Sequence, residues 1–207
     1  MKLLLSVFLL IFTSTLNALA EESASSEANI PEIAKAKFGV ILPLSGDFAA
    51  IGNDCKAGID LAIKESKKEA NIEFLFDDSK ADPITGVSVF QRMVDTNSIL
   101  GAYVFRGPVG MAINPISKQR QIPLMGGVGN KEFALSNSYA FQSWLPSDVE
   151  GKFLASQMIK RGYKSLALLT LEDDWTTSVT SSLIEEYKKL GGEVLLSKDV
   201  SPKEQEF

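Results

Sequence analysis

Histidine is absent from this 207-residue chain, and cysteine occurs once, at Cys55. The first absence removes histidine general bases, Ser-His-Asp triads, Cys-His pairs and histidine-ligated zinc. The second leaves no intrachain disulfide. Cys55 lies on an apolar helical stripe, where a small buried residue is a better reading than a reactive thiol. Basic residues are few, 21 against 26 acidic ones, for a formal charge of −5. No basic stripe marks nucleic acid or an anionic membrane face as a partner. The phosphate-loop pattern G-x-x-x-x-G-K-[ST] and the G-x-S-x-G elbow are missing. Gly127-Val128-Gly129 invites comparison with a dinucleotide fingerprint, but Glu132 stands where that motif needs its third glycine. Neither an enzyme nor a cofactor is expected.

No apolar run reaches the roughly 20 residues that span a bilayer. The strongest, residues 3–12, is interrupted only by Ser6, follows Lys2 and precedes Ala18-Leu19-Ala20. A positive residue, a short apolar core and an A-x-A site make residues 1–20 an export signal cleaved after Ala20, with an uncleaved anchor as the alternative. No cysteine near the cut suggests a lipid anchor. Loss of Lys2 takes the charge from −5 to −6, and the remaining chain is expected in the periplasm without stable membrane insertion.

Residues 21–37 read as a flexible polar leader. From Phe38 onward, short apolar runs alternate with helical periodicity. Strands are expected at 38–42, 72–76, 99–105, 122–125, 140–142, 165–171 and 193–200. The helices between them carry Ile51, Cys55, Ile59 and Ala62, with Gly58 for close approach to a sheet; then Ile84, Val87, Gln91 and Val94 beside Phe90, after the N-cap pair Asp82-Pro83; a short helix to about Arg120; an S-x-x-E capping box, Ser147 to Glu150; and Val179, Leu183, Tyr187 and Leu190. Strand–helix alternation implies α/β architecture with parallel sheets flanked by helices. A first lobe is expected over 38–142 and a partial second lobe over 143–207, with the boundary at residues 143–146. The second lobe has too few helices to cover a parallel sheet on both sides. A C-terminally truncated sequence, exposing apolar surface in its second half, is the expectation.

In such sheets, ligands sit beyond the carboxyl ends of the strands. Those ends are small, apolar or aromatic here, which suits capture of a small organic molecule by backbone N–H groups. Asp77-Asp78 and Glu172-Asp173-Asp174 follow strands, where carboxylates more often cap turns and helices than hold a cation. Trp175, at a strand end, either stacks on a ligand or packs between helix and sheet. Trp144 reads as structural, like Ser147 and Glu150.

The run Phe38-Gly-Val-Ile-Leu-Pro-Leu-Ser-Gly46, with Gly52, Gly58, Leu61-Ala62 and Glu65, resembles the opening of leucine-binding-type periplasmic binding proteins. Asp77-Asp78, Asp82-Pro83, Gly107-Pro108, Ile122-Pro123, Phe141, Pro146-Ser147-Asp148 and Gly151 follow in that family's order. The resemblance implies a two-lobed fold that captures an amino acid or related compound for an ABC transporter permease, or a sensing domain that reports to a receptor. It also implies ligand contacts from Phe48, Val109, Gly110, Met111, Gly127, Val128, Gly129, Asn130 and Trp175. Met111 stands where the family has a ligand-binding serine, Asn130 where it has Ser or Thr, Ile51 in place of an aromatic, and Trp175 in place of a tyrosine. Each lost hydroxyl donor removes about 1–3 kcal/mol from α-amino acid binding, which implies a less polar or differently charged ligand.

Overall fold

The computed structural model describes residues 35–66 and 71–201. The expected export signal, its cleavage site and most of the leader lie outside the described residues. Seven strands and six helices follow in order: β1 (Ala36–Leu42), α1 (Ala49–Glu65), β2 (Ile72–Asp78), α2 (Pro83–Asp95), β3 (Gly101–Phe105), α3 (Gly107–Arg120), β4 (Leu124–Gly127), α4 (Glu132–Leu135), β5 (Ala140–Gln142), α5 (Ser147–Lys160), β6 (Ser165–Leu171), α6 (Asp174–Lys189) and β7 (Glu193–Val200). β1 begins two residues inside the segment expected as leader, because Ala36 and Lys37 pair with Ile72 and Glu73.

The strands form a five-stranded sheet in the order β2-β1-β3-β4-β5 and a two-stranded sheet of β6 and β7, all parallel. Parallel neighbours need crossovers, and the helices supply them. Ile41, Ala102, Val104 and Leu124 bury one face of the larger sheet against α2 and α3, with Phe90, Met93, Val109, Ile113 and Phe133 closing that core. The opposite face is covered near β1 by α1, while Met125 and Phe141 on β4 and β5 remain exposed. In the smaller sheet, Leu166, Leu168 and Val194 pack on Ala155, Leu183 and Tyr187 from α5 and α6. Its other face carries Leu169, Leu171 and Leu196 into solvent.

Several helix readings shift. The buried side of α2 is Gly86, Val89, Phe90 and Met93, whereas Ile84 is 78% exposed. Ile84, Val87, Gln91 and Val94 have helical spacing too, but their stripe lies one position around the helix from the sheet. The close approach of α1 falls at Gly52 and not at Gly58. A Cβ on Gly52 would lie 1.9 Å from the Pro43 carbonyl oxygen, and one on Gly58 would meet nothing within 4 Å. Asp82 caps α2 as expected, its Oδ2 accepting from the Thr85 N–H and hydroxyl, each at 2.7 Å. The capping box at Ser147 does not form. Pro146 is the N-cap of α5, without a side-chain hydrogen bond, and Ser147 is the first helical residue.

Candidate ligand cleft

A cavity of about 370 Å³ opens where the carboxyl ends of β3, β4 and β6 face one another. Each wall follows from the local chain. β3 ends in Phe105 and Arg106, and α3 starts at once with Gly107 and Pro108, which carries Met111 one turn later onto the wall. β4 ends in Gly127, and the turn beyond it contributes Gly129 and Asn130. The connection after β5 brings Trp144 and Ser147. Across the opening, Asp173 caps α6 by accepting from the Trp175 N–H at 2.9 Å. That cap sets Asp174, Trp175 and Ser178 on the same wall, and Ile51 of α1 completes it.

Of the residues expected at a ligand, Met111, Gly127, Gly129, Asn130 and Trp175 share this cavity. Val109 and Val128 do not: both are fully buried in the core behind the wall. Gly110 is also buried, and a Cβ there would sit 2.5 Å from Val128. Phe48 lies beneath Arg106, whose guanidinium carbon stands 3.8 Å above its ring. Trp144 is no interior packing residue. It is 48% exposed, meets Phe105 edge-on at 6.3 Å between ring centroids, and lines the cavity together with Trp175, which is 43% exposed. Gly129 is what lets these parts converge. A Cβ on it would come within 2.5 Å of Ser147 Oγ and 3.0 Å of Trp175 Cδ1. Gly127 and Gly129 thus serve close packing.

Asp173 caps a helix as the sequence reading favoured, while Arg106 and Ser147, neither of them expected at a ligand, also stand on the wall. Arg106 crosses the cavity to Asp173, with Nη2 2.9 Å from Oδ2. Burial by itself would raise the Asp173 carboxyl. The Arg106 hydrogen bond and charge, with the N–H groups of Trp175 and Thr176, outweigh it and hold the carboxyl below its ordinary range. Arg106 has φ +94°, a region that residues with a Cβ seldom occupy. Such a backbone persists only where the surroundings over-determine it, as the ring below and the carboxylate opposite do here. Two buried side-chain atoms of wall residues, Arg106 Nε and Ser147 Oγ, have no hydrogen-bond partner among the described residues. The acidic pair after β2 is used otherwise. Asp77 pairs with Arg92, and Asp78 accepts from the N–H groups of Leu44 at 2.8 Å, Ser45 at 3.3 Å and Lys80 at 2.8 Å.

Parallel α/β layers with a cleft at the strand carboxyl ends define a class of binding proteins that enclose small molecules. The chain belongs to the periplasmic binding protein family, whose pattern matches residues 35–207. It is 34% identical over 116 residues to the Leu/Ile/Val-binding protein homolog 6 of Brucella abortus (strain 2308), a match covering 53% of this chain and 29% of that relative. A leucine binding protein, LivK, from Thermotoga maritima MSB8 superposes with a TM-score of 0.73 at 20% identity, over 83% of this chain and 51% of that one. A solute binding protein of an ABC transporter from Rhodopseudomonas palustris BisB5, solved with 3,4-dihydroxybenzoic acid, gives 0.73 at 22% identity, over 80% and 47%. The substrate binding protein LivJ of Streptococcus pneumoniae, solved with isoleucine, gives 0.73 at 20% identity, over 84% and 51%. The chain thus spans about half the length of these solved proteins and less of the curated relative. Family membership agrees with a binding protein and not an enzyme. No helix among the described residues is long and apolar enough to cross a membrane.

Proposed function

We propose that this chain captures a small organic molecule, an amino acid or a related compound, as the binding component of an ABC transporter outside the cytoplasm. The single observation that carries this reading is the cavity itself. Trp144 and Trp175 face its interior, and polar groups from both sheets converge on it. A volume of about 370 Å³ falls in the range of small-ligand pockets. Met111, Gly127, Gly129, Asn130 and Trp175 are the contacts retained from the sequence, joined by Phe105 and Trp144. The names of the matched proteins support the role, and the export signal expected at residues 1–20 supports a periplasmic location.

The chain has only two tryptophans, Trp144 and Trp175, and both line the cavity, so intrinsic fluorescence reports on it directly. Titration with amino acids, amides and aromatic acids is expected to give a saturable change with at least one compound. A flat response across the whole panel overturns the reading.

A further inference from the structure

We propose that the outer edge of β7 is a self-association site, to which a second copy of this chain adds its own β7 in antiparallel register. β7 is hydrogen-bonded to β6 on one side, and among the described residues no strand lies along the other. A free edge presents unpaired N–H and C=O groups, a template for a further strand. Only Val200 of its eight residues is buried. The strand also complements its own reverse. Glu193-Val194-Leu195-Leu196-Ser197-Lys198 carries an acid at one end, a base at the other and two leucines between. About a two-fold axis between Leu195 and Leu196, Glu193 of each copy falls opposite Lys198 of the other, and Val194 opposite Ser197.

The backbone agrees with this register. The Glu193 N–H donates toward β6, to the Lys164 carbonyl at 2.9 Å, and the Val200 carbonyl accepts from the Glu172 N–H at 3.0 Å. Alternation from those two ends turns the N–H and C=O of Val194 and Ser197 outward, where they form a hydrogen-bonded pair across the axis. Pairing with β6 sets Glu193 level with Ser165, Leu196 with Ala167 and Lys198 with Leu169, which places all three on the bare face of the sheet. A two-fold axis normal to the sheet keeps that face on one side in both copies, so the opposite charges meet. Neither charge has an ion-pair partner among the described residues. Charges on an edge ordinarily repel a strand of arbitrary register, and here their signs permit this one. The other edges differ. β2 carries Glu73, Asp77 and Asp78, all acidic, which repel a second copy. β5 has three residues, and β6 has no charge to set a register. The product is a four-stranded sheet, where a lone two-stranded ladder is marginal. No residue lining the cavity belongs to β7, so each copy keeps its cleft wall. A joint one strand long is weak, so the dilute chain is monomeric and the dimer fills with concentration.

The test is sedimentation equilibrium of the purified chain at low salt, from about 1 μM to about 1 mM, where monomer is expected to pass to a species of twice its mass. Glu193→Lys and Lys198→Glu each set two like-charged pairs across the axis, and each is expected to raise the dissociation constant about tenfold or more. The double variant Glu193→Lys with Lys198→Glu exchanges the charges and is expected to return the constant to within about threefold of the parent. Amide exchange at Val194 and Ser197 is expected to slow as concentration rises, while exchange on β2 stays unchanged. A single species of monomer mass across the range overturns the proposal, as do species larger than a dimer. A dimer indifferent to the single reversals, or not restored by the double exchange, overturns the register and with it the site. A dimer that adds no protection at Val194 and Ser197 joins by the bare face and not by the edge, and overturns the proposal as well.

Discussion

Asp78 shows how one side chain shapes the turn after β1. It closes β2, and its carboxylate accepts from Leu44, Ser45 and Lys80, pinning the turn that follows β1. Partial burial would raise its carboxyl. The Ser45 hydroxyl and the N–H groups of Lys80, Leu44 and Ser45 outweigh burial and lower it. A folded value below the unfolded one gives stability at neutral pH that is lost as pH falls through the folded value. Asp78→Ala is expected to cost about 1–2 kcal/mol at pH 7 by leaving three N–H groups with weaker partners. Paired melts should show that cost constant down to about pH 5 and shrinking below about pH 4. A cost independent of pH would show that the charge contributes nothing. The sequence made Asp78 readable as a turn carboxylate, because an acid directly after an apolar strand has few other uses. Arg106 was not readable, since its positive φ and its reach to Asp173, 67 positions away, leave no local trace.

Among the elements, periodicity marked α1, α2 and α6 but not always which side is buried, while α3 was expected only as a short helix after Gly107-Pro108 and α5 from a capping box that does not form. On α2 two stripes of equal spacing compete, and the sheet selects the one with Gly86 and Phe90. The start of α5 depends on a single residue. With Pro146 as the N-cap, Ser147 enters the helix and stands on the cavity wall without capping the backbone. The contact of α5 with α6 is set at Gly151, where a Cβ would lie 2.4 Å from the Val179 carbonyl oxygen and 2.7 Å from the Leu183 nitrogen. Both neighbours are backbone atoms, so relief requires the helices to part. Gly151→Ala is expected to destabilise the protein by about 1–3 kcal/mol in denaturant melts. Unchanged stability would mean that α5 and α6 slide freely.

The molecule as a whole is unevenly covered. The larger sheet buries one face under two helices, whereas the smaller one has only two strands and a bare face bearing Leu169, Leu171 and Leu196. Exposed apolar surface in the second half was legible, because two strands and two helices cannot enclose a parallel layer. The bare patch around Met125 and Phe141 was not, since those residues lie in strands that read as covered on both faces. A two-stranded ladder has little stability of its own. Amide exchange is therefore expected to run about 100-fold faster on β6 and β7 than on β1 and β3. Equal protection across both sheets would contradict this division.

The tie between Arg106 and Asp173 is partly open to water, with the two side chains 18% and 22% exposed. An ion pair of that kind is worth on the order of 1 kcal/mol, and dissolved salt weakens it further. Such an energy favours one spacing of the walls by only about fivefold over a wider one. The bridge is thus a light catch, one that by itself contributes little to fixing how far apart the two strand ends stand.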